Sequence, residues 1–259
     1  MNMDFIKRTG IKAAFESGRI LKSYFGNISH IRKKGLVDLV TEADVASEEK
    51  IIEIIRKSFP DHSILAEESG LEQGDVDHQW IIDPLDGTVN FAHQVPIFSI
   101  SIAYAFKGTP VMGIVLNPVT GELFSAVAGE GAFLNDRPIQ VSDTRIVQES
   151  LLASGFPYDL LSIFDTITDR LENCLRAAQG IRRLGSAAID ICAVACGRFD
   201  GFWEQNLHPW DTAAAMLIAS EAGTVVTDFA NKPFTMDKKE ILATNGHIHA
   251  EMLSLLDLS

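Results

Sequence analysis

A chain of 259 residues with 46% hydrophobic and 22% charged residues is long and apolar enough to bury a sizeable core, as one large domain or two. A formal net charge of −13 argues against a nucleic-acid groove as its main business, and an acidic protein that handles phosphate esters needs cations to mediate the contact. No apolar run reaches the length of a membrane span. Three cysteines with no CxxC spacing, and no recognisable signal peptide, read as buried thiols in a reducing cytoplasm.

Met3 to about Phe25 reads as an amphipathic helix whose stripe is Phe5, Ile11, Ala14, Phe15, Ile20, Leu21 and Phe25, ended by Gly26-Asn27. Lys33-Lys34-Gly35 leads into a short strand or hairpin return over Leu36 to Thr41. Thr41 then opens a helix that runs to about Ser58, before Pro60. Asp44, three positions after Thr41, fits a capping box. His62 to Ala66 is a short strand with Glu67-Glu68-Ser69 at its end, where a solvated turn is the ordinary reading. Gly70 to His78, polar and aperiodic, is expected to be a surface loop.

The stretch from Trp80 to Phe91 is denser in information. Trp80-Ile81-Ile82 reads as a buried strand that delivers Asp83 and Asp86 into a turn containing Pro84 and Gly87, and a helix can start at Thr88. Two carboxylates followed by helix-start N–H groups suit a metal–phosphate site, since hard cations take oxygen ligands and phosphate takes the positive end of a helix. A Pro/Gly turn capped by its own aspartates fits the same residues. Further on, Ile97 to Phe106, Val111 to Leu116 and Glu122 to Ala128 read as consecutive antiparallel strands. Gly129-Glu130-Gly131 lacks the third glycine of a dinucleotide fingerprint, and Asn135-Asp136 suits a hairpin turn.

A second half begins near Glu149. It contains a strand over Leu151 to Ser154 and a helix over Asp165 to Ala178 with Ile167, Leu171, Cys174 and Leu175 on one face. Next come a small-residue helix after Gly185-Ser186 through about Cys196, a strand over Phe199 to Glu204, and an Ala-rich helix opened by Trp210-Asp211 and closed at Gly223. Ile241 to Thr244 is the last strand and His247 to Leu256 the last helix, where His247 and His249 read as surface residues rather than a metal pair. Residues 1–148 would carry most of the site and 149–259 the remainder, in one compact catalytic unit.

Glu67, Asp83, Asp86 and Asp211 stand at corresponding places, after strands, on a turn and at a helix start. Four carboxylates from separate segments can converge only around cations, because like charges raise one another's pKa. Oxygen ligation without Cys or His selects Mg²⁺ or a similar hard ion, and such an arrangement suggests phosphate-ester hydrolysis.

The set Asp38-Leu39-Val40-Thr41-x-x-Asp44, Glu67-Glu68-Ser69, Asp83-Pro84-Leu85-Asp86-Gly87-Thr88-x-Asn90-Phe91 and Trp210-Asp211-x-x-Ala214 resembles the inositol monophosphatase family of Mg²⁺-dependent, Li⁺-sensitive phosphatases. The resemblance implies an α/β (α+β) fold, the layered αβαβα sandwich shared with fructose-1,6-bisphosphatase, and a homodimer. It implies one ion on Glu67, Asp83 and the Leu85 carbonyl, a second on Asp83, Asp86 and Asp211, and a third, weaker one near Glu67. Thr88 and Asp44 would orient the attacking water, in place of the capping role for Asp44. The N–H groups of Gly87 and Thr88 would hold the phosphate during in-line attack by a metal-activated water. Asp86, Gly185, Ala187 and Glu204 would meet the substrate's hydroxyls, the alternative for Glu204 being a pairing with Arg182 or Arg183. Arg183 and His208 are further candidate contacts, for which loop solvation or packing fits as well.

The expected substrate is a small phosphorylated polyol or sugar, inositol 1-phosphate first. Fructose 1,6-bisphosphate, NADP and 3′-phosphoadenosine 5′-phosphate are handled within the same family, and a role as a regulatory partner of the transcription machinery is the alternative of a different class. Neither membrane nor direct nucleic-acid binding is expected.

Overall fold

The computed structural model describes residues 2–27, 31–33, 39–157 and 160–258. Helix α1 (Met3–Tyr24) is capped by Asn2, whose Oδ1 accepts the Phe5 N–H at 3.0 Å. A hairpin of β1 (Ile31–Lys33) and β2 (Leu39–Thr41) leads into α2 (Glu42–Ser58). The hairpin return expected over Leu36 to Thr41 is therefore seen only from Leu39, and Lys34, Gly35 and Asp38 lie outside the described residues. Then come β3 (His62–Ala66), β4 (Gly70–Glu72), β5 (Asp75–Asp86) and the short α3 (Thr88–Ala92). An antiparallel run follows: β6 (Ser99–Phe106), β7 (Thr109–Asn117), β8 (Glu122–Val127), β9 (Ala132–Leu134) and β10 (Arg137–Pro138). The remainder is β11 (Leu151–Ser154), α4 (Phe164–Ala177), β12 (Gly180–Arg182), α5 (Ala187–Ala195), β13 (Gly201–Gln205), α6 (Pro209–Glu221), β14 (Val225–Thr227), β15 (Glu240–Thr244) and α7 (His249–Leu256).

Two sheets result. The larger has the order β10-β9-β8-β7-β6-β5-β3-β4, with β3 and β5 its parallel pair, and the smaller has the order β12-β11-β13-β15-β14. Alternating side chains feed different cores, as strand geometry requires. Trp80, Ile82, Ile102, Tyr104, Met112 and Ile114 face α1 and α2, while Ile81, Ala103, Ala105 and Val115 face α5 and α6. On the small sheet Ala153, Phe202 and Ile241 face α5 and α6, and Leu152, Trp203 and Leu242 face α4 and α7. The layers therefore run α1/α2, large sheet, α5/α6, small sheet, α4/α7, which is the αβαβα sandwich. Each large side chain fully buried in these layers contributes about 1.5–3 kcal/mol.

Three expectations need correction here. The buried face of α1 is Ile6, Thr9, Gly10, Ala13, Ala14, Ser17, Gly18 and Leu21, whereas Phe5 and Phe15 are 41% and 45% exposed. Small residues let the helix approach the sheet closely: a Cβ on Gly10 would lie 2.7 Å from Ile114 Cδ1. Residues 70–78 are not a loop, because β4 pairs with β3 (Leu65↔Leu71) and β5 starts at Asp75. A strand at the sheet edge keeps one side in water and needs no apolar alternation, and Leu71 of the edge strand β4 is indeed exposed. The α4 face turns on Cys174, which is buried, and leaves Leu175 exposed. Among the described residues no helix is long and apolar enough to cross a membrane.

Candidate active site

Strand β5 carries the first two site carboxylates, and its pairing explains how both reach one cleft. Asp83 pairs with Ser101 of β6 and Asp86 with Ser99, so three steps on β5 match two on β6. In a regular strand, residues three apart point to opposite faces. The extra residue at Pro84-Leu85 is a bulge that reverses this parity, and a bulge is also where a strand tolerates proline. Gly87 follows in the left-handed region at φ 100°, where a Cβ would lie 3.1 Å from the Gly185 and Ile97 carbonyl oxygens. Asp83 is 2% exposed, and its Oδ1 accepts the Leu85 N–H at 2.9 Å.

Asp86 is gripped from across the fold. Its Oδ2 accepts from Ser186 Oγ at 2.6 Å and from the Ala188 N–H at 2.8 Å, so it caps α5 while lining the cleft. Asp211, at the start of α6, accepts the His208 N–H at 2.7 Å. Glu67 sits on the turn after β3, which Glu48 holds by accepting the N–H groups of Glu68 and Ser69 at 2.9 and 2.8 Å. Asp44 is buried behind the cleft, where it accepts from the Thr41 N–H at 2.8 Å, from the Thr41 hydroxyl and from Thr88 Oγ1 at 3.1 Å. The capping box expected at Thr41 and Asp44 is therefore formed, and the same carboxylate also bonds Thr88. Thr88 Oγ1 is also 3.1 Å from the Leu85 carbonyl oxygen, and Ser47 Oγ donates to the Pro84 carbonyl at 2.8 Å, so α2 fixes the bulge.

A cavity of about 510 Å³ gathers the predicted residues Glu67, Asp83, Leu85, Asp86, Gly87, Thr88 and Asp211, together with Gly185, Ala187, Arg183, Glu204 and His208. Burial, followed by repulsion from Glu67, Asp86 and Asp211, pushes the Asp83 carboxyl well above the usual range. Burial raises Asp211 in the same way, with Asp86 and Glu67 adding to it. Such a cluster is all-oxygen and starved of positive charge, which fits hard divalent cations. Among the described residues no three His, Cys, Asp or Glu side chains already surround a single point. Asp83, Asp86 and Asp211 are each held by local hydrogen bonds, so these groups line a common cleft without forming a closed cage.

On the far wall, Glu204 lies against the Gly155 backbone, where a Cβ would overlap its carboxylate and force it to move. Burial pushes Glu204 up to about 8, and Arg183 pulls it back down. The pairing with Arg182 or Arg183 is not formed as an ion pair among the described residues. Arg182 is exposed and bonds the Ile181 carbonyl, while the Arg183 guanidinium stands 5.9 Å from the Phe156 ring. His208 caps α6 and stacks on Trp210 at 4.8 Å. The surface reading of His249 fails: it is buried, with Nδ1 2.9 Å from Thr244 Oγ1 and Nε2 3.1 Å from Thr227 Oγ1.

Sequence reasoning missed Ser186, Glu48, Asp190 and Lys239. The first has a signal, since a serine directly before an apolar helix is a preferred cap. Glu48 stands one turn after Asp44 on the buried face of α2, and Asp190 is the lone acid in an apolar helix. Lys239 borders the cleft from a polar connection and carries no local signature.

Five α/β layers with an acidic, all-oxygen cleft at a strand–turn–helix junction define a narrow class of protein. The model of the inositol monophosphatase family matches residues 2–258, and the chain belongs to that family. It is 46% identical over 248 residues to an inositol-1-monophosphatase of Synechocystis sp., covering 95% of this chain and 86% of that protein. It is 43% identical over 247 residues to the Nus factor SuhB of Haemophilus influenzae, covering 94% and 92%. The crystal structure of the extragenic suppressor protein suhB from Bartonella henselae superposes with a TM-score of 0.94 at 40% identity, over 98% of this chain and 99% of that one.

Proposed function

We propose that this protein is a Mg²⁺-dependent phosphomonoester hydrolase whose preferred substrate is inositol 1-phosphate or a closely similar polyol phosphate. One observation carries the reading: a single cleft joins the carboxylates of Glu67, Asp83, Asp86 and Asp211 on one wall to Glu204 and Arg183 on the other. Glu67, Asp83 and the Leu85 carbonyl would hold one ion, and Asp83, Asp86 and Asp211 a second. Bound there, divalent cations supply Lewis acidity, neutralising phosphate oxygens and lowering the pKa of a water.

The chain's own groups do the rest. With its hydroxyl hydrogen donated in a hydrogen bond to Asp44, Thr88 Oγ1 keeps its lone pairs to accept from a water and aim it at phosphorus. The backbone at Gly87 and Thr88 approaches the phosphate because nothing projects from Gly87. Glu204, near neutral at pH 7 by its raised pKa, can both donate to and accept from a substrate hydroxyl.

The test is phosphate release with Mg²⁺ from inositol 1-phosphate, fructose 1,6-bisphosphate, NADP and 3′-phosphoadenosine 5′-phosphate. The highest kcat/KM is expected for the inositol ester. Preference for a nucleotide would move the protein to another branch of the family. The relative named a Nus factor motivates a second, non-hydrolytic role with a protein partner. A folded Asp83→Asn variant separates the two, since it should lose turnover and keep any such partner.

A further inference from the structure

We propose that Asp190 is a second substrate-binding carboxylate, which takes a hydroxyl of the leaving alcohol beside Glu204 and makes the cleft selective for polyhydroxylated esters. This rests on the polyol-phosphatase reading above. Asp190 lies in the first turn of α5 and is 1% exposed, yet it borders the cleft. Its Oδ1 has no hydrogen-bond partner among the described residues. A buried polar atom without a partner is rare in folded proteins and calls for a specific explanation. The rest of α5 is Ala, Ile, Cys and Val, so packing alone would be served better by an apolar side chain at 190.

Two structural roles compete for this residue, and neither accounts for it. An acid in the first turn of a helix is favourable, but an exposed one serves the dipole as well and is not aimed into a cavity. Burial raises both Asp190 and Glu204, and Arg183, which offsets this only in part, forms no ion pair with either among the described residues. Two buried carboxyls side by side suit the hydroxyls of a polyol, because a carboxyl kept neutral by burial can both donate to and accept from a hydroxyl.

The experiment uses the full-length protein with Mg²⁺ and the variants Asp190→Leu, Asp190→Asn and Glu204→Gln. It measures kcat and KM on inositol 1-phosphate, its mono-deoxy analogues and phenyl phosphate, which offers no hydroxyl. Asp190→Leu should raise KM for the inositol ester roughly tenfold or more and leave phenyl phosphate within about twofold. Its Tm should be unchanged or higher, because an unpaired buried acceptor is gone. One deoxy analogue should lose with wild type what it no longer loses with the variant, a pattern a purely structural role would not produce. Should Asp190→Leu fail to fold, Asp190→Asn carries the same comparison with a smaller expected loss. Equal losses on both esters, or none on the inositol ester, overturn the proposal. If Glu204→Gln loses selectivity and the Asp190 variants keep it, only the role of Asp190 fails. If wild type itself does not prefer the inositol ester to phenyl phosphate, the polyol reading fails and this proposal with it.

Discussion

Single residues here serve two structures at once, and Ser186 shows the consequence. Its hydroxyl donates to Asp86 Oδ2 and accepts the Ile189 N–H as the cap of α5. Ser186→Ala should therefore cost about 0.5–2 kcal/mol of stability and also weaken Mg²⁺ binding, because Asp86 loses its shortest hydrogen bond. Denaturant unfolding, with and without Mg²⁺, checks both parts; a stability loss with unchanged Mg²⁺ affinity would make Ser186 a cap only. Glu204 gives a pH prediction with a definite sign. Its folded pKa is raised to about 8 from an ordinary 4.5, so its protonated form is favoured in the folded state. That contribution is complete below about pH 4.5 and is lost as pH rises through about 8, at about 1.4 kcal/mol per pH unit between the two. Glu204→Gln should accordingly be more stable than wild type at pH 8.5 and close to it at pH 4.5. Parallel stability–pH curves for the two proteins would count against a buried, unpaired Glu204.

Between residues and the whole stand the elements, and there the balance of what the sequence could say is uneven. The strand into Asp83, the helix starts at Thr41, Thr88 and Trp210, and the hairpin at Asn135-Asp136 were legible because local chemistry decides them: apolar runs, caps and turn residues. The α1 face was not, since a hydropathy stripe favours Phe5 and Phe15 while close packing selects Gly10, Ala13 and Gly18. Strands β4 and β14 were missed because a short edge strand is made by its neighbour's backbone rather than by its own pattern. Asp83 and Asp86 could be named from sequence, but the bulge that brings them to one side is visible only in the pairing with β6. Close packing at this level is testable at Gly113 of β7. A Cβ there would lie 2.5 Å from the Ala214 carbonyl oxygen, a backbone atom of α6 that cannot rotate away. Gly113→Ala should displace α6, which carries Asp211 at its start, and lower stability by about 1–3 kcal/mol. Gly10→Ala meets only the movable tips of the Ile114 and Met112 side chains and should be milder. Thermal melts of both variants, read beside Mg²⁺ affinity, decide the matter: equal effects would mean the contact of α6 with β7 is not the constraint.

For the molecule as a whole, the acidic cleft sets up a linkage between folding, protons and divalent cations. Asp83, Asp86 and Asp211 each have folded pKa values raised, first by burial, and Asp83 and Asp211 also by their acidic neighbours. Without metal, the stability they lend is present at low pH and is lost as pH rises through the folded pKa values. Cations that bind the ionised carboxylates act in the opposite sense, because they compete with those protons. At about 100 times the dissociation constant, such binding adds about 2.7 kcal/mol to the folded state. In a chain of this size each kcal/mol shifts Tm by roughly 2–4 °C. The metal-free protein should therefore melt lower at pH 8 than at pH 5.5, and the rise in Tm on adding Mg²⁺ should be larger at pH 8. Chelation should reverse the rise, NaCl at equal ionic strength should not reproduce it, and Asp83→Asn should abolish most of it while melting higher than wild type in the absence of metal. A Mg²⁺ shift that is the same at both pH values, or that survives in Asp83→Asn, would mean that the cations bind elsewhere on a surface carrying a net charge of −13.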